Sequence, residues 1–161
     1  NENIVPTRNM QIKFTAPEAK VLIVDDNALN LKVAAGLMKP YKMQLFTAES
    51  GAKAIEMLHS ENFDLVFMDH MMPDMDGVEA TKIIRSESDD RFRRLPIIAL
   101  TANAVNGARE MFINAGMNDF LAKPIDAAVL DKMLRSYLPK RYIKTAEPQK
   151  EASERGKEVL V

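Results

Sequence analysis

Apolar and polar positions alternate in blocks along this chain. Leu65, Val66, Phe67 and Met68 form an unbroken apolar run that ends on Asp69, long enough for a strand buried on both faces. Residues 20–26, KVLIVDD, read as a second buried strand ending in acid. Residues 43–48 alternate loosely, residues 95–101 (LPIIALT) repeat the buried pattern, and residues 119–123 form a short last strand cut by Pro124.

Helical periodicity fills the gaps. Asn27 caps a helix through Leu31, Ala34, Ala35 and Met38, which Pro40 stops. Ser50 caps a second, with Ala52, Ile55 and Leu58 on one face. Residues 78–85 form a third, facing inward through Val78, Thr81 and Ile84 or Ile83. Residues 103–115 form a fourth, closed by Gly116. Asp126 caps the last, which carries Val129, Leu130, Met133, Leu134 and Leu138 before Pro139. Residues 86–94, SESDDRFRR, read as a solvated charged loop. The alternation predicts an α/β fold, a doubly wound five-stranded parallel sheet with helices on both faces.

The domain is expected over residues 20–139. Residues 1–19 read as a linker, with Ile4, Val5, Ile12 and Phe14 able to pack on the domain, and residues 140–161 as a second linker, in part helical. Because the first residue is Asn1 rather than Met, the expectation is a piece of something longer.

Composition narrows the chemistry. The 161 residues, 47% hydrophobic and 28% charged, suit one ordinary globule. With 22 basic and 23 acidic residues, bulk charge gives no reason to expect nucleic acid or a membrane surface as partner. Cysteine is absent, which excludes disulfides and thiolate catalysis. His59 and His70 are the only histidines, too few for a histidine-based zinc site. No apolar stretch approaches the ~20 residues of a membrane helix.

The strand ends carry the candidate chemistry. The first strand ends in Asp25 and Asp26, the third in Asp69, the fourth in Thr101 and the fifth in Lys123. In a parallel sheet these ends share one edge, where α/β folds bind their ligands. Crowded carboxylates repel, and a hard divalent cation such as Mg²⁺ relieves that repulsion. With Lys123 for a phosphoryl oxygen and Thr101 as hydroxyl donor, the set suits phosphoryl transfer. Asp69 is then the nucleophile, accepting a phosphoryl group as an acyl phosphate. Taken singly, Asp25 and Asp26 also suit a helix-capping pair and Thr101 a structural role. The turn after Asp69 is marked by Pro73, Asp74, Asp76 and Gly77.

Four segments, VLIVDDN, VFMDHMMPDMDG, IIALTAN and DFLAKPI, closely resemble the receiver domain of response regulators and hybrid histidine kinases, over roughly residues 20–138. The resemblance implies a flavodoxin-like strand order, 2-1-3-4-5. It implies that Asp69 is phosphorylated from a phosphohistidine, that Asp26 binds Mg²⁺ directly, Asp25 largely through water, and that the Met71 carbonyl completes the protein's share. It further implies that Lys123 pairs with the phosphoryl group, that Thr101 bonds it in the active state, and that the amides of His70 and Ala102 help hold its oxygens. Lys123–Pro124 is implied as a cis peptide bond and Phe120 as the aromatic switch residue, where many relatives have Tyr. Met71 and Asn103 fall where side chains influence water attack on the acyl phosphate. The implied partner is a histidine kinase or histidine phosphotransfer domain. The implied setting is the cytoplasmic part of a hybrid sensor kinase phosphorelay, with room for a homodimer. The domain would assist its own phosphorylation and dephosphorylation.

Three other readings stand beside this one. A haloacid-dehalogenase-type hydrolase needs a second Asp two residues after the first, where this chain has Met71. A non-phosphorylated receiver-like module usually lacks part of the acidic set, which is complete here. A flavodoxin-like cofactor binder would need a Gly-rich phosphate loop after the first strand, and there is none. Finally, Leu29, Val33 and Gly36 form a stripe on the first helix opposite its inward face. The stripe is read as the dock for a histidine-bearing helix bundle.

Overall fold

The computed structural model describes residues 12–145. Five parallel strands form the central sheet: β2 (Lys20–Val24), β3 (Gln44–Ala48), β4 (Leu65–Asp69), β5 (Ile97–Thr101) and β6 (Asp119–Ala122). Their order is β3-β2-β4-β5-β6. β4 and β5 are buried along their whole length, as their unbroken apolar runs require of strands covered on both faces. β3 is an edge strand and its pattern is mixed.

Helices cover both faces: α1 (Ala28–Met38), α2 (Gly51–Ser60), α3 (Gly77–Ser86), α4 (Asp90–Arg94), α5 (Ala108–Asn114) and α6 (Ala127–Tyr137). Asn27, Ser50, Asp76, Asp89 and Asp126 cap five of them through side-chain oxygens. One core packs α1 and α6 against the sheet through Leu31, Met38, Leu130 and Leu134. The other packs α2, α3 and α5 through Leu58, Ile84 and Phe112.

Four local expectations change. The inward face of α2 is Gly51, Ala54 and Leu58, with Ala52 exposed. The 86–94 stretch contains the helical turn α4, because Phe92 is buried and anchors it. The Arg85 guanidinium donates to the Phe92 carbonyl at 2.7 Å, closing that turn. α5 begins five residues later than expected, after Gly107 in the left-handed region (φ 86°), so residues 102–107 form an exposed loop beside the sheet edge.

The fourth change concerns the flanks. β1 (Phe14–Thr15) pairs antiparallel with β7 (Lys144–Thr145). Phe14 is fully buried, against Tyr41 at 4.9 Å and beneath the Arg135 guanidinium at 4.8 Å. The packing of Phe14 is as expected of that segment, whereas the pairing of Lys144–Thr145 brings the start of the second linker back against it. Ile4, Val5 and the end of the second linker lie outside the described residues.

Candidate functional site

Strand register brings the expected residues to one edge. Val24 lies level with Met68, Asp69 with Leu100, and Thr101 with Ala122. Asp25, Asp69, Thr101 and Lys123 thus emerge together from β2, β4, β5 and β6. Lys123 Nζ donates to Asp69 Oδ1 at 3.0 Å and to Asp25 Oδ2 at 3.2 Å. The other Asp25 oxygen accepts the Asn27 N–H at 2.9 Å, so both oxygens of Asp25 are engaged. Asp26 follows, exposed at the rim. One carboxylate oxygen from each of Asp25, Asp26 and Asp69 lies within 4.8 Å of the other two.

The electrostatics follow from this crowding. Burial pushes the Asp69 carboxyl up to about 6, and the neighbouring Asp25 charge adds to the rise, against the opposing pull of Lys123. Burial alone would lower the Lys123 ammonium, but its bonds to Asp69 and Asp25 outweigh burial and raise it. Three carboxylates face one ammonium, an excess of negative charge on hard oxygen donors. That donor set fits Mg²⁺ and gives no foothold to a metal that prefers sulfur or imidazole.

Thr101 is buried, and its Oγ1 accepts the Asn103 N–H at 3.0 Å, which leaves the hydroxyl proton free to donate toward the edge. Lys123–Pro124 is cis. Phe120 is half-buried with its ring 6.0 Å from that of Phe112.

One expected residue does not fit its role. The His70 N–H donates to the Leu100 carbonyl at 2.8 Å, continuing the β4–β5 ladder, and is not available to a phosphoryl oxygen. The N–H groups of Met71 and Ala102 have no protein acceptor among the described residues. The Met71 side chain stands 66% exposed. The His70 ring lies edge-on to Phe112 at 5.0 Å, with Nδ1 buried and unpartnered.

Gly77 has a role that the sequence reading, which saw only a turn residue, did not supply. Its N–H donates to the His70 carbonyl at 3.0 Å, closing the loop after Asp69. A Cβ at this position would lie 2.3 Å from the Asp69 carbonyl oxygen. Phe112 was likewise missed; its burial against His70 and Phe120 depends on where α5 starts, which no local signal marks. On α1, Leu29 is 67% and Val33 51% exposed, and Gly36 is exposed, with no atom of the described residues within 4 Å of where its Cβ would be.

Comparison with known proteins agrees with this geometry. Residues 21–135 match the model of the response regulator receiver domain. The signal transduction histidine-protein kinase BarA of Shigella flexneri is 40% identical over 119 residues, 74% of this chain and 13% of that protein. Histidine kinase 3 of Arabidopsis thaliana is 39% identical over 130 residues, covering 69% of this chain and 12% of that protein. The chain therefore spans about an eighth of these relatives. Among solved structures, the receiver domain of sensor histidine kinase PA1611 from Pseudomonas aeruginosa, with magnesium coordinated in its active site cleft, is 37% identical with a TM-score of 0.67. That match covers 74% of this chain and 96% of that one. The receiver domain of Ssk1 from Saccharomyces cerevisiae, crystallised with the histidine phosphotransfer protein Ypd1, is similar with a TM-score of 0.69 at 26% identity, over 82% of this chain and 94% of that one.

Proposed function

The chain belongs to the response regulator receiver domain family, and from that membership we propose that Asp69 accepts a phosphoryl group from a phosphohistidine. The observation that carries the reading is the cluster of Asp25, Asp26 and Asp69, of which Asp25 and Asp69 are paired with the Lys123 ammonium. In the transfer, an Asp69 carboxylate oxygen attacks phosphorus, the phosphorus–nitrogen bond breaks, and the imidazole nitrogen leaves with the electron pair. The product is an acyl phosphate on Asp69.

Asp26 would hold Mg²⁺ directly and Asp25 largely through water, with Asp69 and the Met71 carbonyl as further ligands. Mg²⁺, when bound, neutralises charge on the phosphoryl oxygens and orients them for in-line attack. Lys123 is already paired with Asp69 and follows the added charge. The Ala102 N–H and the Thr101 hydroxyl are free to bond phosphoryl oxygens. In place of the His70 amide, which the β-ladder consumes, the unpaired Met71 N–H supplies the second backbone donor. When Thr101 moves toward the phosphoryl group it vacates space beside Phe120, whose ring turns inward, and phosphorylation biases that two-state element.

The donor is a histidine kinase or histidine phosphotransfer domain, docked on Leu29, Val33 and Gly36 of α1. The exposure of these residues supports a docking face. A glycine inside a helix costs about 1 kcal/mol, and among the described residues nothing lies within 4 Å of where a Cβ at position 36 would sit. We place the domain in the cytoplasm, as part of a hybrid-kinase phosphorelay. No helix among the described residues is long and apolar enough to cross a membrane.

The test is transfer from a phosphorylated histidine phosphotransfer protein, followed by intact mass. One phosphoryl group per chain is expected with Mg²⁺, and none with a chelator or in Asp69→Asn. Equal labelling of Asp69→Asn would overturn the assignment.

A further inference from the structure

A second concave feature lies at the opposite end of the strands from the acidic cluster. Asn62 and Phe63 lead into β4, Leu95 leads into β5, Leu58 sits in the last turn of α2, and Arg91 and Phe92 belong to α4. Together with Glu61 they line a cavity of about 120 Å³. Packed interiors hold few spaces larger than a water molecule. This one approaches the ~150 Å³ of an apolar cavity that binds benzene. Its walls are apolar: Leu58, Phe92 and Leu95 are buried and Phe63 is half-buried. The walls are also held in place by neighbours outside the cavity. Phe63 packs edge-on against Phe46 at 5.1 Å, and Phe92 edge-on against His59 at 5.3 Å. The Arg85 guanidinium fixes the Phe92 carbonyl at 2.7 Å. A ring entering here meets two aromatic side chains that are already ordered, which lowers the cost of binding.

The mouth is polar. Asn62 and Arg91 are exposed, and the Arg91 guanidinium lies 4.5 Å from the centre of the Phe92 ring. Its Nε donates to Asp89 Oδ2 at 2.9 Å and its Nη1 to Asn62 Oδ1, so the side chain is held across the opening. Arg91 Nη2 and Asn62 Nδ2 have no acceptor among the described residues. The Glu61 carboxylate on the same rim is paired with Lys20 at 2.9 Å. Two N–H donors, one of them on a cation, thus stand over a ring-sized apolar space. We propose that this cavity is a binding site for a small aromatic carboxylate, with its ring among Leu58, Phe63, Phe92 and Leu95 and its carboxylate on Arg91 and Asn62. A guanidinium recognises a carboxylate through charge-assisted hydrogen bonds and repels an ammonium. The site shares no residue with the acidic cluster, and nothing in the inference depends on phosphorylation of Asp69.

The experiment titrates the full chain with benzoate and follows backbone amide shifts by two-dimensional NMR. Benzyl alcohol and benzylamine carry the same ring with a neutral and a cationic head. Benzoate should move the amides of residues 58–63 and 91–95 and saturate, with a Kd of about 0.1–10 mM, the range open to a ligand of this size. Benzyl alcohol should bind more weakly at the same residues, and benzylamine more weakly still. Arg91→Met keeps the stem over Phe92 and removes the charge. It should weaken benzoate about tenfold, the loss of one charge-assisted hydrogen bond, and leave benzyl alcohol nearly unchanged. Leu58→Phe puts a ring into the cavity from α2 and should abolish binding of both, with amide shifts elsewhere reporting that the chain is folded; if it does not fold, Arg91→Met decides. Asp69→Asn should bind benzoate like the wild type. Shifts that fail to saturate, or that spread over the surface, overturn the inference. So does benzylamine binding as tightly as benzoate, or an equal benzoate Kd in Arg91→Met.

Discussion

Replacing the nucleophile should make this protein more stable. Asp69 is 3% exposed, and its carboxyl is pushed from the ordinary 3.8 to about 6, chiefly by burial and then by repulsion from Asp25. Below pH 3.8 the carboxyl is protonated in both the folded and the unfolded chain and carries no strain. As pH rises through 6 the folded chain must ionise it, and the stability that the neutral form enjoyed is lost. At 1.36 kcal/mol per pH unit, the rise of about two units corresponds to roughly 3 kcal/mol. Asp69→Asn keeps the shape and removes that charge. It also takes one partner from Lys123, which retains Asp25 at 3.2 Å, so the net gain at pH 7.5 should be about 1–3 kcal/mol. The assay is urea unfolding followed by circular dichroism from pH 3.5 to 7.5, in chelator and at fixed salt. The difference between Asp69→Asn and wild type should grow between about pH 4 and 6 and then level off. Mg²⁺ should shrink it, because the metal stabilises the ionised cluster of the wild type. A difference that is flat with pH, or an Asn variant less stable at pH 7.5, would refute the reasoning.

Three further outcomes follow from the packing and the surface. Gly77→Ala places a Cβ 2.3 Å from the Asp69 carbonyl oxygen, which is backbone and cannot swing aside; it should cost about 1–3 kcal/mol in urea unfolding and slow phosphorylation. Phe14→Ala empties a fully buried ring site between Tyr41 and Arg135 and should cost about 3–5 kcal/mol, although Phe14 lies outside the 21–135 stretch that matches the family; a cost near zero would return this segment to the status of a linker. Leu29→Asp or Val33→Asp should slow transfer from a protein phosphodonor at least about tenfold and leave acetyl phosphate labelling nearly unchanged, and equal slowing with both donors would remove the docking role.

The sheet and the acidic cluster were legible because each rests on a local signal with one physical meaning. The runs LVFM and PIIAL cannot be half-solvated strands, and a parallel sheet sends Asp25, Asp69, Thr101 and Lys123 to one edge whatever the loops do. What the sequence left out depends on tertiary contact. Phe92 looks like an isolated apolar residue in SESDDRFRR until the cleft beneath it exists. Phe14 reads as able to pack, but its partners, Tyr41 and Arg135, lie far along the chain and no local signal names them. The His70 amide was assigned from the family resemblance, while its partner, Leu100, is known only from the register of β4 against β5. The start of α5 was placed too early; in the fold the Asn103 N–H turns back onto Thr101 and the helix begins only after Gly107. Gly36, by contrast, was picked out with Leu29 and Val33 as a stripe opposite the inward face of α1, and all three are exposed in the fold.

The central claim is that Asp69 is the phosphoacceptor, and the most direct measurement is to trap the acyl phosphate and map it. Wild type is phosphorylated with acetyl phosphate and Mg²⁺, reduced with borohydride, digested and sequenced by mass spectrometry. Homoserine should appear at position 69, only when both donor and Mg²⁺ were present. Homoserine at position 25 or 26 instead, or at 69 with full yield in chelator, would contradict the account.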